Sequence, residues 1–183
     1  MAEKTMFTPR EIAEAGLAIG LAFVLSMIKI YHLPAGGSVT AGSMIPILLL
    51  ALRRGYKLGL VAAVLYGVLQ LIEGPYVVHP AQVVLDYPLA FGALGLAGFF
   101  ATRSKESPRG DLYALSGIAT GIAGRFVCHL LSGVVFFSEY APEGMNPWVY
   151  SAVYNGSYLV PELIISSVLM YILIKKGVLE LYR

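Results

Sequence analysis

Apolar residues in this chain fall in long runs broken by short polar punctuation, and those runs set its expected architecture. A helix that crosses a bilayer needs about 20 mostly apolar residues. On that measure six helical segments are expected, at 11–30, 44–52, 57–72, 81–101, 112–137 and 148–174. The second is too short to span alone, so it is expected to be re-entrant or continued by the residues before it. YHLPAGGSVTAGS, between the first two, reads as a loop, and GPYVVHP turns the chain into the fourth segment. No internal repeat is visible, and six spans are few for inverted-repeat transporter folds.

Composition agrees with the pattern. The chain is 57% hydrophobic and only 13% charged, with a mean hydropathy of +0.73, whereas soluble domains carry about 25% charged residues. The expected fold class is an all-α membrane protein of six transmembrane helices, with residues 1–183 forming a single integral membrane domain. The opening MAEKTMFTPREIAEAG has acidic residues and no small-residue cleavage pattern, so it reads as a retained helix start, not a signal peptide. Cys128 is the only cysteine, which excludes an intrachain disulfide and reads as packing.

Charge placement adds orientation. Lys4 and Arg10 precede the first segment, and Arg53, Arg54 and Lys57 lie between the second and third. Arg103, Lys105 and Arg109 join the fourth and fifth, and Lys175, Lys176 and Arg183 follow the sixth. These are eleven of the thirteen Lys and Arg; the other two, Lys29 and Arg125, fall inside expected helices. Basic loops stay cytoplasmic, so both termini are expected there. The opposite side carries Glu73, Glu139 and Glu143 and faces outward. A net charge of +2, spread along the chain, gives no reason to expect a nucleic-acid partner.

Three polar residues stand out at a common depth below that outward face. With a helical rise of 1.5 Å per residue, Asp86 lies about 8 Å deep, His129 about 12 Å and Asn155 about 10 Å. Such groups should face the bundle interior or a cavity. Each also has a structural reading: Asn155 could bridge helices, and His129 could be a satisfied core histidine. Asp86 resists that reading most, because a buried carboxylate needs a partner or a ligand. His129, Ser132, Gly133 and Phe136 share one helix face, as do Ser151, Asn155 and Glu162. Tyr150, Tyr154 and Tyr158 form a stripe that reads either as an interfacial aromatic belt or as part of a site. Deeper still, Arg125 and Glu162 lie about 18 and 21 Å below the outer ends of their helices. They are expected to pair and to fix the register of the fifth and sixth helices.

A carboxylate, an amide, an imidazole, phenols and stacking rings suit a flat, heterocyclic, cationic molecule. Tyr31, His32, Tyr76, His79 and Phe137 are available as lid or wall residues. No inward cluster of Lys or Arg awaits a phosphate, and there is no GxxxxGK[ST], HExxH or GxSxG motif. The three histidines match no standard metal spacing. No catalytic residue, metal or cofactor is therefore assigned. Ala15, Gly16, Ala18 and Ala22 put small residues on the first helix, which suits either internal packing or, through Ala18 and Ala22, docking to a partner membrane subunit.

Together, HPAQVVLDYPLAF at 79–91, HLLSGVVFFSEYAPEGMNPWVYSAVYNGS at 129–157, YHLPAGGSVT and the first-helix AxxxA pattern resemble one family. It is the thiamine-specific substrate-binding (S) components of energy-coupling factor vitamin transporters, and the likeness covers nearly the whole chain. The resemblance implies a six-helix S-component bundle in the plasma membrane of a prokaryote, with the first loop as a lid. It implies thiamine as ligand, and as partners a transmembrane coupling subunit and two ATPase subunits that alone use ATP. The family's vitamin-binding acidic–tyrosine pair falls on Asp86 and Tyr87, its histidine and glycine on His129 and Gly133, and further site residues on Tyr76, Tyr150 and Asn155. Phe137 stands where members can carry a tryptophan, and Asp86 is shorter than the family's glutamate. The alternatives are an S component for another vitamin or for hydroxymethylpyrimidine, and a small membrane enzyme using His129 and Asp86 as acid and base.

Overall fold

A computed structural model of the chain describes residues 6–34 and 36–179. Lys4 and Arg183, counted above for orientation, lie outside the described residues. Helix α1 (Pro9–Ser26) opens on a capping box: the Thr8 hydroxyl accepts from Glu11 N–H, and the Glu11 carboxylate accepts from Thr8 N–H. Two donors that the first turn leaves unpaired are thereby satisfied.

α1 ends at Ser26, before the expected residue 30, because the chain turns into a hairpin. Strand β1 (Lys29–His32) pairs antiparallel with β2 (Ser38–Thr40), Tyr31 opposite Val39 and His32 opposite Ser38. The stretch read as a loop thus carries a small sheet, and Lys29 lies on a strand rather than in a helix. Its ammonium stands 3.4 Å from the Glu73 carboxylate. Leu33 N–H donates to Gly37 C=O at 2.7 Å to close the turn, and Gly36 takes a φ of +100°, which only glycine adopts without strain.

The remaining helices follow the apolar runs closely. They are α2 (Ile45–Arg54), α3 (Tyr56–Leu69, prolonged by a tight turn to Glu73), α4 (Pro80–Glu106), α5 (Gly110–Phe136) and α6 (Pro147–Lys175). Asn146 caps α6 by accepting from Trp148 N–H at 2.9 Å, with Pro147 in the first turn. Among the described residues, α3 with its extension, α4, α5 and α6 are long and apolar enough to cross a membrane. Their exposed flanks carry Val127, Val135, Val153, Val160 and Val168, an apolar surface that hydrocarbon covers. The molecule is a multi-pass helical membrane protein. α1 has 18 residues but carries Arg10, Glu11 and Glu14 in its first turns, and α2 has only 10 residues.

The core lies toward the basic ends of the helices, built from Ile47, Leu48 and Leu52 of α2, Ala62 of α3, Leu94 of α4 and Ile118 of α5. α3 and α4 approach closely because Gly95 has no side chain; a Cβ there would meet Leu60 Cα at 2.5 Å. Arg54 clamps α2 to α1, donating to the Glu14 carboxylate from Nε at 2.7 Å and from Nη2 at 2.6 Å. The small face of α1 serves this packing. Ala22 is fully buried and Ala18 lies half-buried against the core, so within this chain the pair serves internal packing. α1 instead exposes Leu17, Leu21 and Val24.

The expected Arg125–Glu162 pair does not form. Glu162, only 2% exposed, accepts at Oε1 from Thr40 N–H (2.6 Å) and Thr40 Oγ1–H (2.7 Å). It therefore anchors the hairpin to the middle of α6, and Arg125 is engaged elsewhere. Hydrogen bonds to a charged acceptor contribute about 1.5–3 kcal/mol each. Glu162→Ala should release the hairpin locally, speeding exchange of the Thr40 amide roughly a hundredfold in hydrogen–deuterium exchange. Unchanged exchange at Thr40 would remove the anchor from the account.

Candidate functional site

Asp86 owes its setting to a proline. Pro88 has no N–H and its ring crowds the carbonyl four residues back, so an ordinary α-turn is disfavoured. The chain widens into a π turn over Leu85–Leu89, which contains Asp86 and Tyr87. Such insertions recur at functional positions in helices.

The carboxylate is 15% exposed and ringed by donors. Oδ2 accepts from Gln82 Nε2 at 2.7 Å and from Ser132 Oγ at 2.9 Å, while Oδ1 lies 3.0 Å from His129 Nδ1. Gln82 also donates to Tyr76 C=O at 3.1 Å and accepts from Val78 N–H at 3.2 Å, so it ties the segment before α4 to Asp86. Arg125 sits one turn from His129 on α5 and donates from Nε to His129 Nε2 at 3.2 Å. Its guanidinium lies 4.0 Å from the Phe91 ring centroid and 3.1 Å from Met44 Sδ.

Asn155, on α6, is 6% exposed. Its Nδ2 donates to Ser151 C=O at 2.9 Å and to His129 C=O at 3.3 Å, and its Oδ1 accepts from Tyr158 OH at 2.7 Å. The amide donors are thus spent within the protein, leaving one lone pair on Oδ1. Gly133 makes this meeting of α5 and α6 possible, since a Cβ there would overlap Ser151 Oγ.

These groups line a cavity of about 860 Å³, counted with its open mouth. All eight residues expected to hold a ligand, Tyr76, Asp86, Tyr87, His129, Gly133, Phe137, Tyr150 and Asn155, lie on its wall. At the mouth, Tyr76 and Tyr140 share a hydrogen bond at 2.8 Å, and the Phe137 ring lies 5.9 Å from each of theirs. That bond raises the Tyr140 phenol pKa above its ordinary value. Tyr150, Tyr154 and Tyr158 all face the cavity, so the stripe belongs to the wall and not to a lipid belt.

Several expectations fall outside this wall. Phe136 turns away and stacks on His79 at 5.2 Å, while His79 caps α4 by accepting from Ala81 N–H. Tyr31 is 55% exposed on the hairpin. His32 and Glu162 line an adjoining cavity of about 560 Å³ that shares Arg125, Tyr87 and Phe91 with the first. Sequence reasoning missed Gln82 as a site residue, although its place four residues before Asp86 on a helix was a readable signal. It also missed the hairpin residues Gly36, Gly37 and Ser38, which complete the wall.

The geometry disfavours hydrolytic chemistry. Activating a serine needs a histidine between hydroxyl and carboxylate. Here Ser132 bonds Asp86 directly, and His129 Nε2 is taken by Arg125. Groups available to a ligand include acceptor capacity on Asp86 and Asn155, phenol hydroxyls and aromatic faces, with Gln70 and Arg125 also on the wall.

Comparison with known proteins places the chain. Residues 12–180 match the family described as Thiamine transporter protein (Thia_YuaJ). The thiamine transporter ThiT of Bacillus subtilis (strain 168) is 35% identical over 171 residues, covering 88% of each chain. ThiT of Lacticaseibacillus paracasei is 34% identical over 168 residues, 86% of this chain and 84% of that one. The solved structure of ThiT from Listeria monocytogenes superposes with a TM-score of 0.83 at 26% identity, over 91% of this chain and 94% of that one. The chain therefore belongs to the thiamine transporter protein family, a family of transport proteins and not of enzymes.

Proposed function

We propose that this protein captures thiamine at the outer face of the plasma membrane, as the substrate-binding subunit of an energy-coupling factor transporter. The observation that carries this reading is the convergence of Asp86, His129 and Asn155 with phenol and phenyl rings in one cavity. Thiamine presents an aminopyrimidine, whose exocyclic amine donates hydrogen bonds, and a cationic thiazolium. The Asp86 carboxylate and the free lone pair of Asn155 Oδ1 accept from the amine. Tyr87, Tyr150 and the His129 ring orient the two heterocycles and the hydroxyethyl tail. Tyr76 and Phe137 wall the thiazolium, whose charge is attracted to aromatic faces.

In this reading α1 and α2 complete six membrane segments, and the basic ends, with both termini, lie in the cytoplasm. The cavity then opens outward. The sequence carries no GxxxxGK[ST] motif for ATP hydrolysis, so uptake in this reading draws on a transmembrane coupling subunit and two ATPase subunits as partners.

Calorimetry tests the proposal directly, because Trp148 is 52% exposed and does not line the cavity, making it a weak optical reporter. Titrating thiamine into the purified protein should give saturable one-site binding at or below micromolar ligand. Hydroxymethylpyrimidine should compete only weakly. No binding at micromolar thiamine overturns the reading, and tighter binding of the pyrimidine alone reassigns the ligand.

A further inference from the structure

We propose that Arg125 is a positioning residue that fixes the tautomer of His129 and thereby makes Asp86 an obligate hydrogen-bond acceptor. A guanidinium stays charged and only donates. With Arg125 Nε 3.2 Å from His129 Nε2, that ring nitrogen must present its lone pair. A proton there would set one N–H against another. The imidazole therefore carries its single proton on Nδ1, 3.0 Å from Asp86 Oδ1, and donates it to the carboxylate. Hydrogen bonding then runs one way, from Arg125 through His129 to Asp86.

Other contacts hold each member of this relay. The Phe91 ring face and Met44 Sδ bracket the guanidinium, which stands one helical turn from His129. Gln82 and Ser132 supply two more donors to Asp86. Three protein donors thus converge on a carboxylate with about four acceptor positions, leaving roughly one for a ligand. Resting on the thiamine reading, this makes a donor group, an amine N–H, the feature that the site selects at Asp86, and it rejects ligands that offer an acceptor there. It also recasts His129: both ring nitrogens are occupied, so it meets a ligand through its ring and not through a hydrogen bond.

Nitrogen-15 NMR on histidine-labelled protein reads the tautomer without any ligand. The signals of His129 are told apart from those of His32 and His79 by a His129→Gln variant. The wild type should show an Nδ1–H species with unprotonated Nε2. In Arg125→Met, which keeps a stem over Phe91 but has no donor, an Nε2–H correlation should appear, and thiamine binding should weaken about tenfold. Arg125→Lys, which retains a donor, should restore the wild-type pattern. An Nε2–H signal in the wild type, or an unchanged pattern in Arg125→Met, overturns the proposal. If Arg125→Met fails to fold, the wild-type and Arg125→Lys spectra still decide it. Loss of thiamine binding in the wild type would instead sink the ligand reading while leaving the tautomer result standing.

Discussion

Asp86→Asn should weaken thiamine binding by a hundredfold or more, corresponding to about 3 kcal/mol. Two losses combine. The ligand's amine loses a charged acceptor, and charge-assisted hydrogen bonds are roughly twice as strong as neutral ones. The protein's own network also fails, because every neighbour of Asp86 is a donor: Gln82 Nε2, Ser132 Oγ–H and His129 Nδ1–H. An asparagine must turn its NH2 toward at least one of them. Gln82 would then hold the Tyr76 segment less firmly, since the same amide donates to Tyr76 C=O. Glu143→Gln, on an exposed turn, is the matched control and should leave binding within about threefold, as surface substitutions normally do. Calorimetric titration of both variants decides it. An Asn variant that binds as tightly as the control would remove Asp86 from the site.

The convergence of Asp86, His129 and Asn155 was legible in the sequence for a simple reason. Helical rise is nearly constant, so counting residues from a loop gives depth. Azimuth is not fixed by counting, and there the reading failed. Arg125 and Glu162 line one cavity, yet they bond to different partners. Glu162 bonds Thr40, a partner invisible in the sequence because nothing there marks the hairpin. β1 is exposed at all four positions, so no alternation of apolar and polar residues marks it as a strand. Its pairing comes instead from Gly36, which turns the chain, and from Glu162 beneath it. The AxxxA pattern of α1 is open in a different way. Small residues mark close approach without saying to what, and here Ala22 meets this chain's own core. The tyrosine stripe was ambiguous on the same ground, since spacing shows that residues share a face but not whether lipid or a cavity lies opposite.

Close approach is also where one added methyl group should have its largest effect. Gly133→Ala places a Cβ that overlaps Ser151 Oγ and stands 2.9 Å from Ser151 Cβ and 3.4 Å from Asn155 Nδ2. Neither neighbour can move freely. Ser151 Oγ donates to Leu130 C=O at 2.9 Å, and Asn155 is held by His129 C=O and Tyr158 OH. Overpacking of this kind costs about 1–3 kcal/mol, against which alanine's better helix propensity returns at most about 1 kcal/mol. The expected result is a lower unfolding temperature in detergent together with a roughly ten- to hundredfold loss of thiamine affinity. Gly156→Ala separates crowding from composition, because a Cβ there meets nothing within 4 Å, and it should leave both properties intact. A second change completes the cycle. Ser151→Gly in the Gly133→Ala background opens the space the methyl needs, so the double variant should bind better than Gly133→Ala alone, with a coupling of about 0.5–3 kcal/mol. Strict additivity of the two changes would mean that α5 and α6 do not meet at Gly133, and the position of Asn155 in the cavity would fall with that contact.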